Sequence, residues 1–251
     1  MRACLIVPHF DHVEQFCILL PKLVELHIPL IVVDDASPAK TRDALVQALG
    51  AIAPDAVLVQ HSENLGKGGA VATGLRAAWD RGYTHAVQID ADGQHDSEAV
   101  PLLCAAARAS PGSLICGEPV FDDISALRYY ARHITLYLMW LETLSTRIRD
   151  GLCGLRVYPL QVVVDLLDRS KLPDRMAFDP EILVRAVWTG VPLVYVPVHV
   201  QYPADGRSHF HYIRDNLEIA WMHTRLLAGM LVRIPRLMHP RDRNRTGRSV
   251  P

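Results

Sequence analysis

Short, β-branched apolar runs alternate with longer segments of helical period through the first half of this chain, which leaves few architectures open to it. The runs occupy residues 3–7, 30–33, 56–60, 85–89 and 113–116, and the stretches 13–26, 41–49, 68–81 and 97–109 repeat apolar residues at helical spacing, the last opening on Ser97 as a cap. Parallel strands need crossover connections of this length, so the pattern predicts βαβ units around a mostly parallel central sheet flanked by helices, an α/β fold. At 251 residues and 50% hydrophobic content there is material for one sizeable core. After about residue 120 the alternation loosens into a long amphipathic segment at 126–147, a return at 154–158, a helical Phe178–Trp188, a strand at Leu193–Val200 and one or two helices over Tyr212–Leu237. No repeat or low-complexity linker divides the chain. The expected organisation is one domain over 1–211, a C-terminal helical segment over 212–239 and a basic, disordered tail over 240–251.

A formal net charge of -1 offers no global electrostatic case for nucleic acid, and no such partner is expected. The five cysteines are odd in number, scattered and free of CxxC spacing, which points to neither a disulfide framework nor a zinc knuckle and fits a reducing cytosol. The N-terminus runs directly into an apolar strand, and no apolar stretch reaches the roughly 18 residues of a membrane span. A cytoplasmic protein is expected. From Met222 onward, however, seven arginines stand against one acidic residue among apolar side chains such as Trp221, Leu226 and Leu231. Such a segment either lies peripherally on an anionic membrane face or packs as an ordinary core helix with a solvated tail.

In open α/β sheets the ligand crevice lies beyond the carboxyl ends of the strands, so chemistry belongs in the turns there. Those turns are Pro8-His9-Phe10-Asp11, Asp34-Asp35-Ala36-Ser37, His61-Ser62-Glu63-Asn64 and Asp90-Ala91-Asp92-Gly93-Gln94-His95-Asp96. Asp90 and Asp92, at i and i+2, can aim both carboxylates at one hard cation, Mg²⁺ or Mn²⁺, that keeps positions open for diphosphate oxygens. The same residues also make an ordinary Asp-rich turn. Asp35 is placed to accept from a base imide or a ribose hydroxyl, whereas Asp34 reads equally as part of a turn before a helix start. Asn64-Leu65-Gly66-Lys67-Gly68-Gly69-Ala70 sets three glycines and a lysine at a strand-to-helix junction, where Lys67 can meet a phosphate or nucleoside. Its spacing is neither that of a P-loop nor of a dinucleotide fingerprint.

In this order, Val32-Val33-Asp34-Asp35-Ala36-Ser37, Asn64 to Ala70 and Asp90 to Asp96 resemble family 2 glycosyltransferases of the GT-A (Rossmann-like) fold, above all the polyprenyl-phosphate (dolichyl-phosphate) mannosyl- and glucosyltransferase branch, over roughly residues 3–210. The resemblance implies that Pro8 flanks the nucleoside, that Asp35 contacts base or ribose, and that Asp90, Asp92 and Gln94 surround metal and diphosphate. It further implies that Arg128 and Arg132 receive an acceptor phosphate, although at i and i+4 of a helical segment they read equally as a solvated basic face, that Asp150 belongs to the site, and that Asp179 lies where relatives acting on hydroxyls place a base. Arg207 and His209 fall in a closing loop, Arg207 toward the donor phosphates and His209 as a further metal ligand. Leu155 replaces the family's usual aromatic, and His9-Phe10-Asp11 replaces an aromatic followed by Asn.

The implied activity is inverting transfer of a sugar from a nucleotide-diphospho sugar to a lipid-linked acceptor, such as a polyprenyl phosphate. Other readings remain. Transfer to a hydroxyl would need Asp179 as base, while the bland role of Asp179 is to open the helix it begins. A nucleotidyltransferase usually carries a glycine-rich loop after its first strand, where this chain has none. A non-catalytic nucleotide-binding or membrane-surface protein could share the fold.

Overall fold

The computed structural model describes residues 1–121, 126–200 and 212–238, without the side chains of residues 127, 128, 212 and 213. Seven strands form one sheet: β1 (Ala3–His9), β2 (Leu30–Asp34), β3 (Val57–Gln60), β4 (His85–Gln88), β5 (Leu114–Phe121), β6 (Arg156–Pro159) and β7 (Leu193–Val200), in the order β3-β2-β1-β4-β6-β5-β7. Pairing is parallel except where β6 runs antiparallel between β4 and β5. Cys4 to Val7 and all five residues of β2 are buried, as expected of strands covered by helices on both faces.

The helices are α1 (Val13–Glu25), α2 (Ala39–Ile52), α3 (Lys67–Asp80), α4 (Val100–Ala109), α5 (Ala126–Thr143), α6 (Leu160–Arg169), α7 (Phe178–Trp188) and α8 (Tyr212–Leu237), with a single 3₁₀ turn at Ser97–Ala99 leading into α4. One apolar layer packs α1, α2 and α4 on the sheet; the other gathers α3, α6, α7 and α8. In α8, Met222, Leu226 and Met230 face that second layer, while Leu217, Trp221, Leu231 and Val232 face outward.

Residues 160–169 form α6 despite the β preference of Val162-Val163-Val164; Leu160, Val163, Leu166 and Leu167 bury one stripe, so tertiary burial overrides local preference. Two details differ from the pattern read in the sequence. The long 126–147 segment stops at Thr143, because Leu144 takes φ 48° and the Thr143 hydroxyl bonds the carbonyls of Met139 and Ser145. β5 runs on to Phe121, paired along its whole length with β7.

Candidate active site

Four separate elements bring charge to one point beyond the carboxyl end of β4. Asp90 and Asp92 follow that strand, Lys67 is the first residue of α3, Asp179 lies in the first turn of α7, and Arg156 enters from β6 opposite Gln88. Lys67 Nζ sits 2.8 Å from Asp90 Oδ2 and 2.9 Å from Asp179 Oδ2. Arg156 is buried; Nη1 donates to the Asp179 carbonyl at 2.8 Å and lies 3.6 Å from its Oδ1, while Nη2 donates to the Gly151 carbonyl at 2.9 Å. His95 Nε2 is 3.7 Å from Asp90 Oδ2. Beneath them Tyr158 donates to Gln88 Oε1 at 2.8 Å, and Gln88 Nε2 reaches Asp90 Oδ1 at 3.4 Å.

Two glycines make this convergence possible. Gly66 precedes α3 at φ 100°, a backbone region that side chains strongly disfavour. Gly154 lies flat against Asp90: a Cβ there would come within 2.8 Å of the carboxyl carbon. Sequence reasoning passed over Gly154, Arg156 and His95 as site residues. The signal for Gly154 and Arg156 is position, just before and at the start of a strand returning to the sheet centre.

The two aspartates of the acidic turn are driven apart electrostatically. Burial alone would raise Asp90, but Lys67 and then His95 outweigh it and hold its carboxyl far below the ordinary carboxylate range. Asp92 moves the other way, raised by burial and by the neighbouring Asp90 charge, despite accepting from Gln94 N at 3.0 Å. For Lys67, burial disfavours the ammonium, yet Asp179 and Asp90 together keep it firmly protonated.

The turn after β2 serves as a brace. Asp35 is buried, and its carboxylate accepts from Leu65 N at 2.9 Å and Gly66 N at 2.7 Å, with His61 Nδ1 at 2.7 Å; Asn64 Nδ2 donates to the Asp35 carbonyl at 3.1 Å. These contacts tie the end of β2 to the start of α3, so Asp35 positions the Lys67 turn. Asp34 is also buried and lies 3.3 Å from His9 Nδ1; burial pushes its pKa up, but bonding to His9 and Ser37 more than offsets this and lowers it. Pro8, half-buried, sits beside Val33 in the β1–β2 register.

Arg132 and Asp150 form a second cluster. The Arg132 fork pairs both carboxylate oxygens of Asp150, Nη2 to Oδ1 at 2.9 Å, and its guanidinium lies 5.0 Å from the Phe121 ring centre. Asp150 Oδ1 also accepts from Leu152 N at 2.9 Å and Cys153 N at 2.7 Å, fixing the turn that ends at Gly154 beside Asp90. Asp150 and Arg132 thus act as one unit. Arg128 is on α5, its side chain undescribed, and Arg207 and His209 lie outside the described residues.

The donor set suits a hard divalent cation held mainly by substrate. Asp90 and Asp92 present oxygens only, and the mutual repulsion that raises Asp92 is what a bound cation would relieve. Among the described residues no three His, Cys, Asp or Glu side chains converge as a complete metal cage. Two carboxylates with diphosphate oxygens completing the shell is the arrangement that these residues fit.

A sequence signature described as glycosyl transferase family 2 matches residues 5–161. The chain is 34% identical over 208 residues to an undecaprenyl-phosphate mannosyltransferase of Micrococcus luteus, a match spanning 79% of this chain and 83% of that one. It is 28% identical over 207 residues to a polyprenol monophosphomannose synthase of Mycolicibacterium smegmatis, spanning 78% and 76%. Among solved structures, glucosyl-3-phosphoglycerate synthase from Mycobacterium tuberculosis, in complex with Mn²⁺, uridine diphosphate and glucosyl-3-phosphoglycerate, superposes with a TM-score of 0.63 at 17% identity over 92% of this chain and 79% of that one. The likeness extends to the fold: the mostly parallel sheet, flanked by eight helices among the described residues, is the GT-A arrangement.

Proposed function

This chain belongs to glycosyl transferase family 2, and we propose that it transfers a sugar from a nucleotide-diphospho sugar to a lipid-linked phosphate, with inversion at the anomeric carbon. The observation that carries the choice of acceptor is the state of Asp179. Its Oδ2 is taken by Lys67 at 2.9 Å and the Arg156 guanidinium stands 3.6 Å from Oδ1, so two cations occupy the surroundings in which a hydroxyl nucleophile would have to meet it as a base. A hydroxyl nucleophile would need such a base, whereas a phosphate arrives already anionic. The names of the two relatives, one acting with undecaprenyl phosphate and one making a polyprenol monophosphomannose, agree with that class of acceptor.

The remaining residues take roles around this step. Asp90 and Asp92, with Gln94 beside them and His209 as a further ligand, would hold Mg²⁺ or Mn²⁺, which would neutralise charge developing on the leaving diphosphate; the neighbouring structure with Mn²⁺ and uridine diphosphate supports this pairing. Pro8 and the brace at Asp35 border the nucleoside, and Arg207, outside the described residues, is assigned to its phosphates. Arg128 and Arg132, one turn apart on α5, receive the acceptor phosphate, with Asp150 orienting the Arg132 fork. α8 rests on an anionic lipid face, where a polyprenyl chain is met.

The test is a panel of nucleotide sugars with Mg²⁺ or Mn²⁺, read as nucleoside diphosphate release with polyprenyl phosphate or the corresponding polyprenol. Turnover is expected with the phosphate alone and should vanish in Asp92→Ala. Comparable turnover on polyprenol would overturn the acceptor assignment, and an active Asp92→Ala the metal assignment.

A further inference from the structure

Lys67 stands against the carboxylate that a divalent cation would need. Its ammonium is 2.8 Å from Asp90 Oδ2, so an ion approaching that oxygen must displace it. Displacement needs somewhere for the ammonium to go, and Asp179 is already in contact, its Oδ2 2.9 Å away. Arg156 holds Asp179 from behind through the backbone carbonyl, and Asp179 Oδ1 accepts no hydrogen bond from the described residues, which leaves that carboxylate capacity for a closer ammonium. The lysine stem is long enough to turn between two neighbouring carboxylates while its helix stays still.

We propose that Lys67 is a built-in placeholder for the metal: it neutralises Asp90 while the donor is absent and moves wholly onto Asp179 when the cation arrives. This rests on the reading of Asp90 as a metal ligand and goes beyond it, because it assigns Lys67 and Asp179 to control of metal uptake, neither of them touching the reacting atoms. A half-buried Asp90 without counter-charge would destabilise the empty protein, and the lysine removes that penalty. Competition also makes the ion bind weakly until a diphosphate adds its own oxygens, so metal and donor load together.

The test is uptake of Mn²⁺ alone, followed by the paramagnetic resonance signal of the free ion, in the wild type, Lys67→Met, Asp179→Asn and the double variant. Lys67→Met is expected to bind Mn²⁺ at least tenfold more tightly than the wild type. Asp179→Asn should bind severalfold more weakly, because Lys67 then has only Asp90. In the Lys67→Met background the Asp179 change should alter affinity less than twofold, as there is no longer a lysine to relocate. Lys67→Arg keeps the competing charge and should remain near wild type. If Lys67→Met binds no more tightly than the wild type, or the two substitutions act additively, the placeholder is wrong while the metal site stands. If none of the four takes up Mn²⁺, the metal assignment itself fails. Should Lys67→Met not fold by circular dichroism, Lys67→Gln takes its place with the same expectation.

Discussion

At the scale of single residues, the site depends on close approach more than on any one charge. Gly154 and Asp90 are in contact such that a Cβ would meet both carboxylate oxygens as well as the carboxyl carbon. Gly154→Ala must therefore push the Asp90 carboxylate off its place. Misplacement by about 1 Å costs on the order of 10²-fold in rate, and a loss of that size in diphosphate release, with the circular dichroism spectrum unchanged, is expected. Retention of wild-type turnover would mean that Asp90 needs no fixed position. The acidic turn itself was legible in the sequence because Asp90 and Asp92 are local neighbours following a recognisable strand. The Lys67–Asp179 contact was not, since it joins the starts of two helices far apart in the chain, and only the sheet order brings them together. Asp35 illustrates a third case: its place at the site was legible, but its partners, the backbone amides of Leu65 and Gly66, depend on a turn whose shape Gly66 alone hints at.

At the scale of elements, α5, α7 and α8 meet around two buried acids that the mechanism does not use. Glu142 of α5 lies 2.6 Å from His223 of α8, and Glu181 of α7 is held by Arg185 on its own helix at 2.6 Å and by Arg225 of α8 at 2.5 Å. Burial raises Glu142 above its ordinary value of 4.5, with His223 opposing the shift and Glu181 adding to it. A carboxyl whose folded value is raised binds its proton more tightly in the folded state. Its contribution is therefore fully present below pH 4.5 and is lost as pH climbs through the raised value. Glu142→Gln can keep a hydrogen bond to His223 without the buried charge. Its melting temperature relative to wild type should rise as pH is taken from 4.5 to 7.5, each kcal/mol showing as about 2–4 °C at this chain size. A difference that is flat with pH would show that Glu142 stays in one state throughout. The helical period of α5 and α8 was readable in the sequence, yet their mutual contact was not: a lone buried Glu or His carries no local mark of its partner. The same limit hid the placement of β6, whose strand character showed in its apolar residues but whose antiparallel insertion between β4 and β5 is a matter of topology.

At the scale of the whole molecule, the proposed lipid-linked acceptor raises the question of how a chain with no membrane-spanning helix among its described residues would reach it. α8 divides cleanly: its inner stripe joins the core through Met222, Leu226 and Met230, and its outer stripe carries Trp221, 66% exposed, and Val232, 82% exposed, with Leu217 and Leu231 on the same side by helical spacing. Arg214 and Arg236 are exposed on this helix as well. A basic helix with an apolar outer face binds by inserting those side chains at the headgroup boundary while its arginines meet anionic lipid, each worth about 1 kcal/mol near the surface. Because the formal net charge is only -1, this local asymmetry must dominate any attraction. The chain should then co-sediment with vesicles containing anionic phosphatidylglycerol, less so with purely zwitterionic ones, and binding should fall with added salt as the charges are screened. Val232→Asp removes the apolar group that would insert and adds repulsion at a position 82% exposed in the folded chain. A drop of at least tenfold in vesicle partition, about 1.4 kcal/mol, is expected with the melting temperature unchanged. Turnover on a short-chain, water-soluble polyprenyl phosphate should persist in that variant, since the charged cluster around Asp90 lies on other elements. Undiminished vesicle binding would mean that the outer face of α8 is not what meets the lipid.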